Sequence, residues 1–314
     1  MTDLNRLTLD QAMSALDRMG VDYELIGPPR AIQRVCSLLN REPNGLYYYS
    51  GKDPSVIGTL TGSVVICDRS IAVPTDSCSC IAVTEDPQVV FYRLCGALFD
   101  TRPAPGIHPT AIVHPEAVIG EQVHIGPYAV IGRSSIGSGS IIHAHVVILD
   151  GCTIGQRVVI EPNSCIGATG AVWIWGNEKE RLTLPQLGGV SIGDDVFMSA
   201  DVSVVRGLLN EDTIIGRGSV IAPGSKIGHS VVLEEDVHLA NNVSIAGSAR
   251  IGARSFLGSG CAIRSHTRLA PDTIVGLGAA VVRDVVRSGV TVAGVPAAEL
   301  EDKAQRKGVP RPRG

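Results

Sequence analysis

Histidine is the side chain best suited to take up and return a proton near neutral pH. This 314-residue chain has eight: His108, His114, His124, His143, His145, His229, His238 and His266. Two of them belong to a pattern. In steps of 18 residues, His229 is followed by Gly247, and His266 lies 37 residues beyond His229, two steps and one residue on. In a coiled chain with 18 residues per turn, this spacing aligns His229, Gly247 and His266 along one face over roughly 10 Å. The chemistry that fits is acyl transfer. A neutral imidazole removes a proton from an amine or hydroxyl nucleophile. A bare backbone N–H at glycine steadies the tetrahedral oxyanion. The two imidazoles stand too far apart to bond each other, so they serve different parts of a substrate.

Zinc is the competing use of histidine. A site of that kind wants a pair about five residues apart and a third ligand. The nearest pairs, His143/His145 and His229/His238, lack that spacing. The reading is therefore no metal, with His143 and His145 decorating a turn or an outer face.

The elements that must position these residues are legible from a repeat of six. Ile107, Val113, Ile119, Ile125 and Ile131 are six apart; after a slip of one, Ile136, Ile142, Ile148, Ile154, Ile160 and Ile166 continue. Twelve consecutive aliphatic positions then run from Ile215 to Val281. With 44% apolar residues, chance gives such a run about 5 times in 100,000. Six is too short a period for leucine-rich or helical repeats. It predicts a mainly β fold, a left-handed parallel β-helix with a triangular cross-section. Three hexapeptides form one turn, and each aliphatic residue points inward onto its equivalent in the next coil. Small residues after the aliphatic one, as in the Ile-Gly pairs at 119, 125, 154, 227 and 251 among others, let the chain turn. A narrow interior also explains 36 Gly beside only 4 Phe, 2 Trp and 6 Tyr.

The rest of the chain falls into place around this prism. Residues 1–101 read as a small α/β domain: a capped helix from Thr8 to Met19, strands at GLYYYS, SVVICD and SCIAVT, and a helix from Pro87 to about Phe99. The linker TRPAPGIHP ends it. The β-helix spans 107–295, interrupted by 168–191, which holds Trp173 and Trp175 and leaves as an external loop. Residues 296–314 read as a short C-terminal helix and a basic tail with Lys303, Arg306, Lys307, Arg311 and Arg313. A formal charge of −4 argues against nucleic acid as a partner. No apolar leader or spanning run occurs, and eight scattered cysteines read as free thiols in a cytoplasmic protein.

Longer motifs carry a resemblance. IGATG…LPQLGGVSIGDDV, RGLLNEDTIIGRGSVI, IGH at 227–229 and IAGS at 245–248 resemble segments of the UDP-3-O-acylglucosamine N-acyltransferase family of lipid A biosynthesis, and NGLYYYSGKD resembles the start of its uridine-binding domain. The resemblance implies a fatty acyl group passing from the phosphopantetheine thioester of acyl carrier protein to the amine of a UDP-aminosugar, with no bound cofactor. It assigns His229 as base, Gly247 as oxyanion donor and His266 as a positioning group. It also implies a homotrimer with sites between subunits. Tyr49 falls at the family's uracil-stacking aromatic and Lys52 at its uracil-contacting position, where the family has Asn. Other departures are Ser55 for a second aromatic, Val205 for an Asp, Ala222 and Pro223 for a polar pair, and Ser230 for Asn. Two further readings stay open: an acetyl-CoA-dependent nucleotide-aminosugar N-acetyltransferase, and a non-catalytic sugar-nucleotide-binding scaffold.

Overall fold

The computed structural model describes residues 6–72 and 77–299. The chain divides into two compact units, with the boundary along the chain between Arg102 and Pro103.

In the first unit, Thr8 caps helix α1 (Leu9–Arg18) through a capping box with Gln11, which satisfies two otherwise unpaired N–H groups. A five-stranded sheet follows, in the spatial order Tyr23–Ile26, Cys78–Val83, Ser63–Asp68, Gly45–Tyr49, Arg34–Val35. Only the first pairing is antiparallel. Helix α2 (Pro87–Leu98), capped by Asp86, packs with α1 on one face of this sheet through Val64, Ile66, Ile81, Phe91 and Leu94. The other face holds Tyr47, Ile57, Val65, Cys67 and Cys80. Alternation along the strand thus sends Tyr47 and Tyr48 to opposite faces.

The second unit is a parallel β-helix built of three sheets with nine, eight and eleven strands. Each strand pairs with those one coil before and after, so Ile227 lies between Val204 and Ile245, and Ile245 beneath Ile263. The aliphatic column is buried almost completely from Ile125 to Val281. A second inward column lies two residues before it and was not noted in the repeat: Val123, Ala129, Val146, Val196, Val231 and Ala249 are buried, and so are Ser140, Ser164, Ser219 and Thr273. Period-two alternation requires this. The hydroxyls at these positions are not orphaned: Ser140 Oγ donates to the Gly155 carbonyl at 2.9 Å and accepts the Val158 N–H at 3.0 Å. Glycine after the aliphatic residue is needed for close approach; a Cβ on Gly137 would lie 2.5 Å from the Gly155 carbonyl carbon and oxygen.

One segment differs from expectation. The end of the described chain, Ala298–Glu299, is a short strand antiparallel to Thr291–Ala293, where a helix was expected. The remainder of that helix and the basic tail lie outside the described residues. None of the eight cysteines forms a disulfide.

Removing one rung of the column should be costly because each is covered on both sides. Leu239→Ala, at a fully buried position, should lower stability by about 2–5 kcal/mol in chemical denaturation; a loss below about 1 kcal/mol would contradict this packing.

Candidate functional site

His229 opens the turn after strand Lys226–Ile227. Its place is fixed by the coils around it. The next residue, Ser230, has φ +56°. The Ser230 N–H donates to Thr213 Oγ1 at 2.9 Å, and its Oγ accepts the Leu208 N–H at 3.2 Å. One coil on, the Ser248 N–H donates to the His229 carbonyl at 2.8 Å, and a further coil on, the His266 N–H donates to the Gly247 carbonyl at 3.1 Å. The three residues therefore form a column along an edge of the prism, at successive turns, rather than along a flat face as expected. His266 stands one position later in its turn than His229 and Gly247 do in theirs. It shares the positive φ of Ser230 and Ser248, at +62°, and is exposed.

Gly247 and the imidazole of His229 occupy one another's space. A Cβ on Gly247 would lie 2.3 Å from both Cε1 and Nε2 of His229 and 2.8 Å from Cδ2. The Nε2 edge of the ring thus rests over the bare Cα of Gly247. Nδ1 points the other way and is buried with no hydrogen-bond partner among the described residues. Burial pushes the His229 pKa below its ordinary value. The nearby His266 pushes the same way, and Glu211 opposes both. The ring is therefore neutral at pH 7, the form that accepts a proton.

Glu211 was not singled out from the sequence. It lies in a second break in the repeat, 206–212, between Ser203–Val205 and Thr213–Ile215. The available signal was the step from Val204 to Ile215, eleven residues in place of six. This loop interlocks with the base of the longer one. The backbone of Leu187 and Gly188 donates to the Leu208 carbonyl. Arg206 donates to the carbonyls of Gly188 (2.7 Å) and Asp150 (3.1 Å). A Cβ on Gly188 or Gly207 would fall within 2 Å of the Glu211 carbonyl oxygen. The longer loop projects as a hairpin, Trp173–Trp175 against Arg181–Thr183, with both tryptophans exposed and their rings edge-to-face at 5.0 Å.

In the first unit, Tyr49 lines a cavity of about 530 Å³ with Cys36, Tyr48, Ser50, Phe91 and Tyr92. The Tyr49 ring lies over Gly51, and its hydroxyl accepts the Asp53 N–H at 3.3 Å. Tyr48 contacts Phe91 at 5.0 Å and Tyr92 at 6.1 Å between ring centroids. Lys52 is exposed and does not line this cavity. The aromatics from α2 were not anticipated, since only tertiary folding brings them to Tyr48. The remaining histidines stand apart from the His229 edge: His143 faces Glu161 at 3.7 Å, His145 stacks on Tyr128 and His238 meets Phe256. Among the described residues, no group of three histidine, cysteine or acidic side chains is placed to hold a metal ion, and no helix is long and apolar enough to cross a membrane.

The chain is similar to known proteins in sequence and in fold. Residues 133–168 and 212–247 match the bacterial transferase hexapeptide (six repeats) family. The UDP-3-O-acylglucosamine N-acyltransferase of Bordetella pertussis is 28% identical across 94% of this chain and 90% of its own length. The chain is thus similar to a UDP-3-O-acylglucosamine N-acyltransferase over nearly its whole length. Other enzymes of that name are more similar over shorter stretches. That of Herminiimonas arsenicoxydans is 35% identical over 51% of this chain, and that of Paracidovorax citrulli 37% identical over 65%. The aligned regions span 45% and 62% of those two relatives. Among solved structures, the UDP-N-acetylglucosamine O-acyltransferase (LpxA) of Moraxella catarrhalis aligns over 62% of this chain and 73% of its own with a TM-score of 0.57 and 29% identity. LpxA from Acinetobacter baumannii gives 0.55 and 28% over the same shares. These alignments cover a shared β-solenoid; the N-terminal match to the N-acyltransferases extends beyond it.

The electrostatics of the His229 edge make a directional prediction. Glu211→Gln should lower the pKa of His229 further, and His266→Gln should raise it. NMR titration of labelled histidines reads both shifts; an unmoved His229 resonance in either variant would contradict the arrangement.

Proposed function

We propose that this protein is an N-acyltransferase that moves an acyl group from a phosphopantetheine thioester, carried by acyl carrier protein, to the amine of a UDP-linked aminosugar in lipid A assembly. The observation that carries the reading is the contact of His229 with Gly247: a neutral imidazole with its Nε2 edge laid against a glycine. Among the described residues, the N–H of that glycine donates to no backbone carbonyl. Similarity to a UDP-3-O-acylglucosamine N-acyltransferase over nearly the whole chain supports the substrate class.

The amine nitrogen attacks the thioester carbonyl carbon, forming the C–N bond and moving the carbonyl electrons onto oxygen. The Gly247 N–H donates to that oxyanion. His229 takes the proton from the amine. When the tetrahedral intermediate collapses, the C–S bond breaks. The departing thiolate takes the proton from the imidazolium, leaving an amide, a free thiol and neutral His229. His266, exposed at the edge, positions one substrate. The cavity holding Tyr49 accepts the uracil ring against an aromatic face; Lys52 lies outside that cavity. Burial of the catalytic edge between three copies of the chain suits a prism whose sides are flat. The interlocked loops beside His229 favour the enzyme over a passive scaffold, because they bring an acidic side chain near the half-buried imidazole that rests on Gly247.

The test is a mass-spectrometric product assay with UDP-3-O-acylglucosamine and either 3-hydroxyacyl carrier protein or acetyl-CoA. An amide product formed with the carrier protein alone is expected, and His229→Ala should reduce kcat by about 10²–10⁴-fold. An acetyl product alone would replace the donor in this reading, and an active His229→Ala would overturn the mechanism. The acid limb of kcat/KM should have its midpoint below about 6.5, the ordinary histidine value, because His229 must lose its proton to act. Gly247→Ala should fold normally yet lose activity, since its methyl takes the space of the imidazole.

A further inference from the structure

Arg250 and Arg268 stand directly opposite one another on neighbouring strands, Arg250–Ile251 and Arg268–Leu269, of the eight-stranded sheet. Ile251 and Leu269 are buried, so alternation turns both arginines outward, and both are exposed. Strand spacing sets their Cα atoms about 4.8 Å apart. Like charges facing each other at that distance destabilise a sheet.

Elsewhere on the prism, outward arginines face acids on a neighbouring coil: Arg133 with Asp150, Arg157 with Asp195, Arg217 with Glu235, and Arg254 with Asp272. Neither Arg250 nor Arg268 has a side-chain hydrogen bond or ion pair among the described residues. Below Arg250 the ladder continues with Val232. Above Arg268 comes Asp284, whose carboxylate accepts the Arg268 backbone N–H at 2.9 Å.

The place of this pair matters. Arg250 follows Gly247 by three residues, and Arg268 follows His266 by two. That is at most about 10 Å of extended chain from the functional edge. On the other side of the edge, exposed Lys226 and Arg264 precede His229 and His266. The chain as a whole carries a charge of −4, so an unpaired double cation here is not part of a generally basic surface.

We propose that Arg250 and Arg268 form a phosphate clamp beside the His229–Gly247 edge. Two guanidinium forks at strand spacing present parallel N–H donors to the oxygens of one phosphate or of two linked ones. The bound anion removes the repulsion that the empty pair sustains. The proposal rests on the acyl-transfer reading for the source of that phosphate: the diphosphate of the nucleotide sugar, or the phosphodiester of the phosphopantetheine arm.

Calorimetric titration of the full-length protein with UDP, and separately with 4′-phosphopantetheine, tests it. The comparison is with the Arg250→Gln/Arg268→Gln double variant. Affinity for at least one ligand should fall tenfold or more, and the ligand that loses affinity identifies the source. The melting temperature should stay level or rise, because the like-charge contact is gone. Arg268→Glu should raise it further while abolishing binding. Unchanged affinities, a wild-type protein that binds neither ligand, or lost binding with a lowered melting temperature would each overturn the clamp. A wild-type protein that binds these phosphates yet forms no amide would instead overturn the acyl-transfer reading and leave the clamp standing.

Discussion

The structure depends on one constraint: every coil of the prism must seat its aliphatic residue on the equivalent residue of the coil before. This burial is the main favourable term in the second unit, and it is strictly periodic. It converts position along the chain into position in space. Residues 18 apart become neighbours at strand spacing, so a functional group in one coil meets a partner in the next without a long loop. The His229–Gly247 contact follows directly, because Ile227 and Ile245 are already stacked beneath it. So does the Arg250–Arg268 pair, from the stacking of Ile251 and Leu269.

A regular prism alone makes a scaffold with identical edges. Two departures from the repeat make one edge different. The loops 168–191 and 206–212 leave the coils nearby and lock together through backbone hydrogen bonds and close glycine contacts. The shorter one is tied to the turn of His229 through Leu208 and Ser230. They give one imidazole a half-buried setting with an acid near it, which a bare corner on a solvated prism lacks. Burial lowers the proton affinity of His229 while Glu211 restores part of it. The balance leaves a neutral base at physiological pH.

The parts of this arrangement that were legible in advance are those governed by period. The aliphatic column, the Ile-Gly turns and the 18-residue step from His229 to Gly247 follow from counting. What counting missed depends on geometry within a turn or on tertiary contact. His266 falls one residue later in its turn, at the position that requires a positive φ, so its side chain leaves the edge differently. The five extra residues between Val204 and Ile215 looked like a gap in the repeat, yet they carry Glu211. Phe91 and Tyr92 join Tyr48 only after α2 packs on the sheet, and no local pattern marks them. Lys52, matched by motif alone, stands outside the cavity that Tyr49 lines.

The central claim is that chemistry occurs where the His229 imidazole rests on Gly247. The most direct measurement is a crystal structure of the protein with its amide product bound. The account predicts the amide oxygen within hydrogen-bond reach, about 2.7–3.1 Å, of the Gly247 N–H, with the amide nitrogen on the His229 side. A product bound with its amide away from this edge would contradict the account, whatever the affinity.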